Sequence, residues 1–170
     1  MREALLLIDL QNGFVSDKTE HVVPRIEQLL ALPFDSIIAT KFVNQEGSPY
    51  DRLMGWRGMM SSPDTDLLPI AEEKADFILE KNLYTAVDSR LLALLQEEGI
   101  DLVCIAGIDT DCCVLKNAED LFEKGIDCRV LLDYTASNGG PESEKAAAKV
   151  LSRSIGERCL IHGKIDRLPE

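Results

Sequence analysis

The sequence predicts an α/β fold of three layers, α/β/α, built on a Rossmann-like, mostly parallel sheet of about six strands. Three observations carry that prediction. Short apolar runs recur along the chain and stop at a polar or charged residue, as Ala4-Leu5-Leu6-Leu7-Ile8 stops at Asp9. The runs are apolar throughout instead of alternating, the pattern of strands covered on both faces. Between them lie segments with apolar residues every three or four positions, the period of a helix that packs by one face.

The elements follow in order. Residues 4–9 form the first strand with Asp9 at its carboxyl end, and Asp9-Leu10-Gln11-Asn12-Gly13-Phe14 leaves the sheet as a loop. Val22, Val23, Ile26, Leu29, Leu30 and Leu32 predict a helix over 21–32, and residues 36–43 a second buried strand. The stretch 44–66 holds Gly47, Pro49, Gly55, Gly58 and Pro63 together with Tyr50 and Trp56. A loop of that length in a compact domain is a candidate lid or pocket wall.

Residues 75–79 read as a short third strand with Lys81 at its carboxyl end. Asp88 is placed to cap a helix over 89–98, closed by Gly99. A fourth strand over 101–106 ends at Gly107, and a helix from about 111 to 124 is closed by Gly125. A fifth strand over 128–132 ends at Asp133, a helix covers 142–154, and 159–161 form a last short strand. Strands alternating with helices at this spacing specify a parallel sheet with right-handed crossovers. One domain over 1–170 is expected, because 170 residues bury a sizeable core and no repeat or linker interrupts them.

The formal net charge of −12 argues against a nucleic-acid partner, which needs clustered Lys and Arg to displace counterions. Met1-Arg2-Glu3 runs into an apolar stretch too short for a signal peptide or a membrane span, so a cytoplasmic protein without a membrane partner is expected. The five cysteines are odd in number and match no paired metal spacing, and free thiols in a reducing compartment are the reading they support. His21 and His162 are the only histidines, so a zinc site is poorly supplied with ligands.

Open parallel sheets bind ligands beyond the carboxyl ends of their strands, near the point where strand order reverses. Asp9, Lys81 and the turn Gly107-Ile108-Asp109-Thr110-Asp111-Cys112-Cys113 share that edge. The turn delivers two thiols to a helix start, where exposed N–H groups favour thiolate. An acid, an amine and a thiol together make a nucleophilic site: the carboxylate takes the thiol proton, the ammonium favours both anions, and backbone N–H groups of the turn hold an oxyanion. Taken singly, Asp9 is equally a turn acid, Lys81 a solvated loop lysine, and a buried cysteine a small hydrophobe. Two rivals stand beside the enzyme: a redox protein using the vicinal Cys112-Cys113 pair, and a non-catalytic binding or assembly module.

Three segments in order resemble the isochorismatase-like cysteine hydrolases, a superfamily that includes nicotinamidases and carbamoyl-amide hydrolases. They are Leu7-Ile8-Asp9-Leu10-Gln11-Asn12-Gly13-Phe14, Lys81-Asn82 after a strand, and Gly107-Ile108-Asp109-Thr110-Asp111-Cys112-Cys113-Val114. The resemblance implies Asp9 as base, Lys81 as cation and Cys113 as nucleophile, since the family's cysteine stands six residues after the glycine and just before an apolar residue. It implies an oxyanion hole from the backbone of Asp109 and Cys113, and a cis peptide at Ile108-Asp109, where the family has a small apolar residue in place of Asp109. Phe14 is implied as a pocket residue.

Nicotinamidases place metal-binding histidines after the second strand, whereas this chain reads Lys41-Phe42-Val43-Asn44-Gln45 there. That implies a metal-free and cofactor-free branch, in which Asn44, Ser48, Tyr50 and Trp56 line the pocket. Isochorismatases proper lack the cysteine, so the expected reaction is cleavage of a C–N bond in a small amide or carbamoyl substrate through a thioester. Family members often assemble as dimers or tetramers, so a homo-oligomer is implied.

Overall fold

In the computed structural model, which describes residues 1–169, the six predicted strands are β1 Glu3–Ile8, β2 Ser36–Phe42, β3 Phe77–Lys81, β4 Leu102–Ile108, β5 Cys128–Ala136 and β6 Leu160–Ile161. They form one sheet in the order β3-β2-β1-β4-β5-β6, every pairing parallel. Strand order reverses between β1 and β4, so the crevice beyond that pair is the switch point of the fold.

The side-chain period of a strand divides the core in two. Ala4, Leu6 and Ile8 of β1 join one apolar cluster, with Leu91 and Leu95 of α4 (Ser89–Glu97), Ala118 and Leu121 of α5 (Leu115–Glu123) and Leu151 of α6 (Pro141–Leu151). Leu5 and Leu7 join the other, with Ile26 and Leu29 of α1 (Val23–Leu29) and Ala71 of α3 (Pro69–Lys74). Five of the six β1 side chains are fully buried apolar groups, each contributing about 1.5–3 kcal/mol for the larger ones, which is why the central strand reads so plainly.

Departures from expectation occur where the apolar signal is weak. β3 lies two residues later than predicted, at Phe77–Lys81, because Asp76 makes the edge contact: its N–H donates to the Ile37 carbonyl and its carboxylate accepts from the Ile37 N–H, both at 2.8 Å. β5 runs four residues past the predicted end, since its register with β4 shifts between Ile105 and Gly107 and lets Thr135 and Ala136 pair with Gly107 and Ile108. The predicted loop over 44–66 contains one helical turn, α2 (Pro49–Arg52), capped by the Ser48 hydroxyl, which accepts from the Asp51 N–H at 3.1 Å. Helix α3 was not predicted at all; at six residues it is too short to show a period.

Candidate active site

Asp9 leaves β1 with φ at 47°, in the left-handed region, which turns its side chain inward at the sheet edge. It is completely buried. Thr40 of β2 holds it on two sides: the Asp9 N–H donates to Thr40 Oγ1 at 3.0 Å, and that hydroxyl donates to Asp9 Oδ1 at 2.6 Å. Lys81, the last residue of β3, donates to Asp9 Oδ2 at 2.7 Å and to the Leu83 carbonyl at 3.0 Å, with its Nζ 5.0 Å from the centre of the Phe42 ring. The pair is almost fully sealed from water, with side-chain exposures of 3% for Lys81 and 0% for Asp9.

The thiol arrives from the other side of the switch point. Gly107, at φ 125°, lets β4 approach β1 so closely that a Cβ there would lie 2.1 Å from the Ile8 carbonyl oxygen. The Ile108-Asp109 peptide is cis, and a single wide π-type turn, Thr110–Val114, then leads into α5. Within it the Cys112 and Val114 N–H groups both donate to the Asp109 carbonyl, at 3.2 and 3.0 Å. Asn117 fixes the turn from below, donating to the Cys113 carbonyl at 2.7 Å and accepting from the Ala86 N–H at 2.8 Å.

Cys113 Sγ thereby lies 3.7 Å from Lys81 Nζ, so one ammonium touches both the carboxylate and the sulfur. Burial first, then the Asp9 carboxylate, push the Cys113 thiol well above its ordinary range, while Lys81 pulls the other way. Burial and Asp9 thus oppose the thiolate that the helix start was expected to favour. Cys112, half-buried beside Asp111 and Asp109, is pushed up to about 11, chiefly by burial.

Above the sulfur is a cavity of about 190 Å³. Its walls are aromatic: Phe14, Phe42, Tyr50, Trp56 and Tyr84. Trp56 stacks on Phe14 with centroids 6.4 Å apart, and Tyr50 stands edge-on to Phe42 at 5.3 Å. Met54, Asp109, Cys112 and Cys113 complete the lining. Of the residues expected from the sequence, Asp9, Lys81 and Cys113 come together, and Phe14, Tyr50 and Trp56 line the same space.

Asn44 does not. It is buried behind the wall, donating to the Trp56 and Gly58 carbonyls at 3.1 and 3.0 Å and accepting from the Ser48 hydroxyl at 2.6 Å, so it shapes the loop that carries Trp56. Ser48 is likewise occupied with that loop. Sequence reading missed Thr40, Asn117 and Tyr84. Thr40 lies one residue from the centre of an apolar strand and carried no separate signal, whereas Tyr84, three residues after Lys81, could have been found from the aromatic set. His21 sits in an exposed turn and His162 pairs with Glu157 at 3.3 Å. Among the described residues no three His, Cys, Asp or Glu side chains are grouped to hold a metal ion, so the donor set does not fit one.

A six-stranded, all-parallel sheet layered with helices, with a thiol, an acid and a lysine gathered at its switch point, places the protein in the three-layer α/β class. The chain belongs to the isochorismatase family, whose Isochorismatase domain matches residues 3–159. It is 29% identical over 184 aligned residues to the nicotinamidase/pyrazinamidase of Mycobacterium tuberculosis, covering 92% of this chain and 98% of that one. With the nicotinamidase of Acinetobacter baylyi it shares 28% identity, over 76% and 79% of the two chains. The N-carbamoylsarcosine amidase of Thermoplasma acidophilum superposes with a TM-score of 0.81 at 21% identity, over 100% of both chains. At that identity the likeness is one of fold.

Proposed function

We propose that the protein is a cysteine hydrolase of small amide or carbamoyl compounds, with Cys113 as nucleophile, Asp9 as acid and base, and Lys81 as the cation that serves both. The observation that carries this reading is the bridging ammonium, 2.7 Å from Asp9 Oδ2 and 3.7 Å from the Sγ of Cys113, the residue of the three that lines the cavity. Amide substrates are supported by the two curated relatives, both named as nicotinamidases.

The thiol proton passes to Asp9 as the sulfur bonds to the amide carbonyl carbon. An anion beside Lys81 is exchanged for another anion beside Lys81, so the buried charge is conserved and the raised thiol is no obstacle. The carbonyl oxygen takes up the negative charge. Since the Cys112 and Val114 N–H groups already serve the Asp109 carbonyl, we assign the oxyanion to the backbone N–H groups of Asp109 and Cys113. Asp9 then gives its proton to the departing nitrogen as the C–N bond breaks, leaving a thioester and ammonia or an amine. It next takes a proton from water, whose oxygen attacks the thioester. The C–S bond breaks, the acid leaves, and Asp9 returns the proton to the sulfur.

A dithiol redox role is opposed by the raised Cys112 and Cys113 thiols, because thiolate is the reactive form. A cytoplasmic setting belongs to the same reading, supported by five free cysteines. No helix among the described residues is long and apolar enough to cross a membrane. A homo-oligomer is supported by the exposed apolar side chains of Leu53, Met54 and Leu83, of which Met54 lines the cavity and the other two adjoin lining residues in sequence. The deciding experiment measures ammonia release from a panel of small amides. Cys113→Ala abolishes it and Cys112→Ala keeps most of it; equal loss in both variants would overturn the assignment.

A further inference from the structure

Resting on the amidase reading, we infer that the acyl pocket is built for a positively charged amide, with the Asp109 carboxylate as its specificity determinant. Asp109 lines the cavity and is clamped in place by Asn138, whose backbone N–H and Nδ2 donate to Oδ1 at 2.7 and 2.8 Å. Asn138 in turn donates to the Phe14 carbonyl at 3.1 Å, so the carboxylate and one aromatic wall are positioned by the same side chain. Both bonds use Oδ1. Oδ2 has no hydrogen bond among the described residues.

The charge around it has one sign. No Lys or Arg lines the cavity among the described residues, and Lys81 is committed to Asp9 and the Leu83 carbonyl. Burial raises the Asp109 carboxyl, the Asn138 hydrogen bonds pull it back, and Asp111 and Asp9 add to the rise, with no cation acting on it. The remaining walls include Met54 and the rings of Phe14, Phe42, Tyr50, Trp56 and Tyr84, and burial raises both tyrosine hydroxyls, Tyr50 to about 12, so the rings stay neutral.

Three kinds of acyl group meet this pocket differently. One bearing a carboxylate faces Asp109 with no counter-charge. A neutral one strips water from Oδ2 and returns no hydrogen bond or charge. One bearing an ammonium supplies the missing cation and lies against ring faces whose quadrupoles attract it. About 190 Å³ accommodates a trimethylammonium group with the amide beyond it, which directs the carbonyl carbon toward Cys113.

Trp56 is the chain's only tryptophan and forms part of the wall, so its fluorescence reports the pocket. The test titrates the Cys113→Ala protein with trimethylammonioacetamide and with 3,3-dimethylbutanamide, which replaces the cationic nitrogen by carbon at nearly the same shape. The charged amide binds at least tenfold more tightly, and adding Asp109→Asn brings the two within threefold. Equal binding of the two amides, or a preference that survives Asp109→Asn, would overturn the inference; the first comparison decides even if the Asn variant fails to fold. Turnover by the otherwise native chain follows the same ratio in kcat/KM. Selective binding of the charged amide with no ammonia released would instead overturn the amidase reading while leaving the cation pocket standing.

Discussion

Replacing Asp9 by Asn should make Cys113 more reactive to alkylation and yet destroy turnover. The sign follows from the site: burial and the Asp9 carboxylate hold the thiol up, Lys81 alone pulls it down, and the substitution removes an opposing charge while keeping the helpful one. A unit charge about 4 Å away in a medium of effective dielectric about 20 is worth about 4 kcal/mol. If water and side-chain relaxation recover two-thirds of that, about 1.4 kcal/mol remains, or roughly tenfold in thiolate at any pH below the titration. The assay is iodoacetamide labelling at pH 8, read peptide by peptide by mass spectrometry. Cys104 and Cys128, buried and raised to about 12, and Cys112 at about 11 provide internal references. Cys113 in Asp9→Asn labels about ten times faster than in the wild type while ammonia release vanishes. Labelling no faster than wild type would refute the electrostatic account, whatever happened to activity.

Lys81→Met leaves the buried Asp9 carboxylate without its cation, held by the Thr40 hydroxyl at 2.6 Å and the Cys113 thiol, and breaking a sealed pair of this kind costs about 3–5 kcal/mol. Urea unfolding measures it, and a loss below about 1 kcal/mol would show that the pair is not closed to water. Gly107→Ala drives a methyl to 2.1 Å from the Ile8 carbonyl oxygen at a φ that L residues avoid, a strain of upwards of about 3 kcal/mol. Soluble expression should collapse, and a well-folded Ala variant with wild-type melting would mean that β1 and β4 can separate.

The central strands were legible because they are buried on both faces: nothing but apolar residues fits, and β1, β2 and β4 fall within two residues of their predicted ends. The three side chains that meet at the switch point were legible because each ends or follows a strand, where a polar residue after an apolar run stands out. Legibility failed wherever a side chain's task is set by a distant partner. Asn44 looked like a pocket amide, yet its amide is spent on Trp56, Gly58 and Ser48. Lys81 was found, but its strand was misplaced because the edge position lets exposed Ile78 and buried Lys81 exchange the roles their polarity suggests. The thiol's state was misread for a similar reason. A helix start can be seen in sequence; the burial of the sulfur, and the carboxylate that β1 brings beside it from 104 positions earlier, oppose it only in three dimensions.

The proposed reaction passes through a covalent bond to one sulfur. Acid-quenching the reaction within milliseconds, using the most rapidly hydrolysed amide of the panel, and digesting the protein for mass spectrometry looks for that bond directly. The acyl group is predicted on the peptide carrying Cys113, to build up before steady-state ammonia release, and to be absent from Cys113→Ala. An acyl group on Cys112, or undiminished turnover by Cys113→Ala, would contradict it.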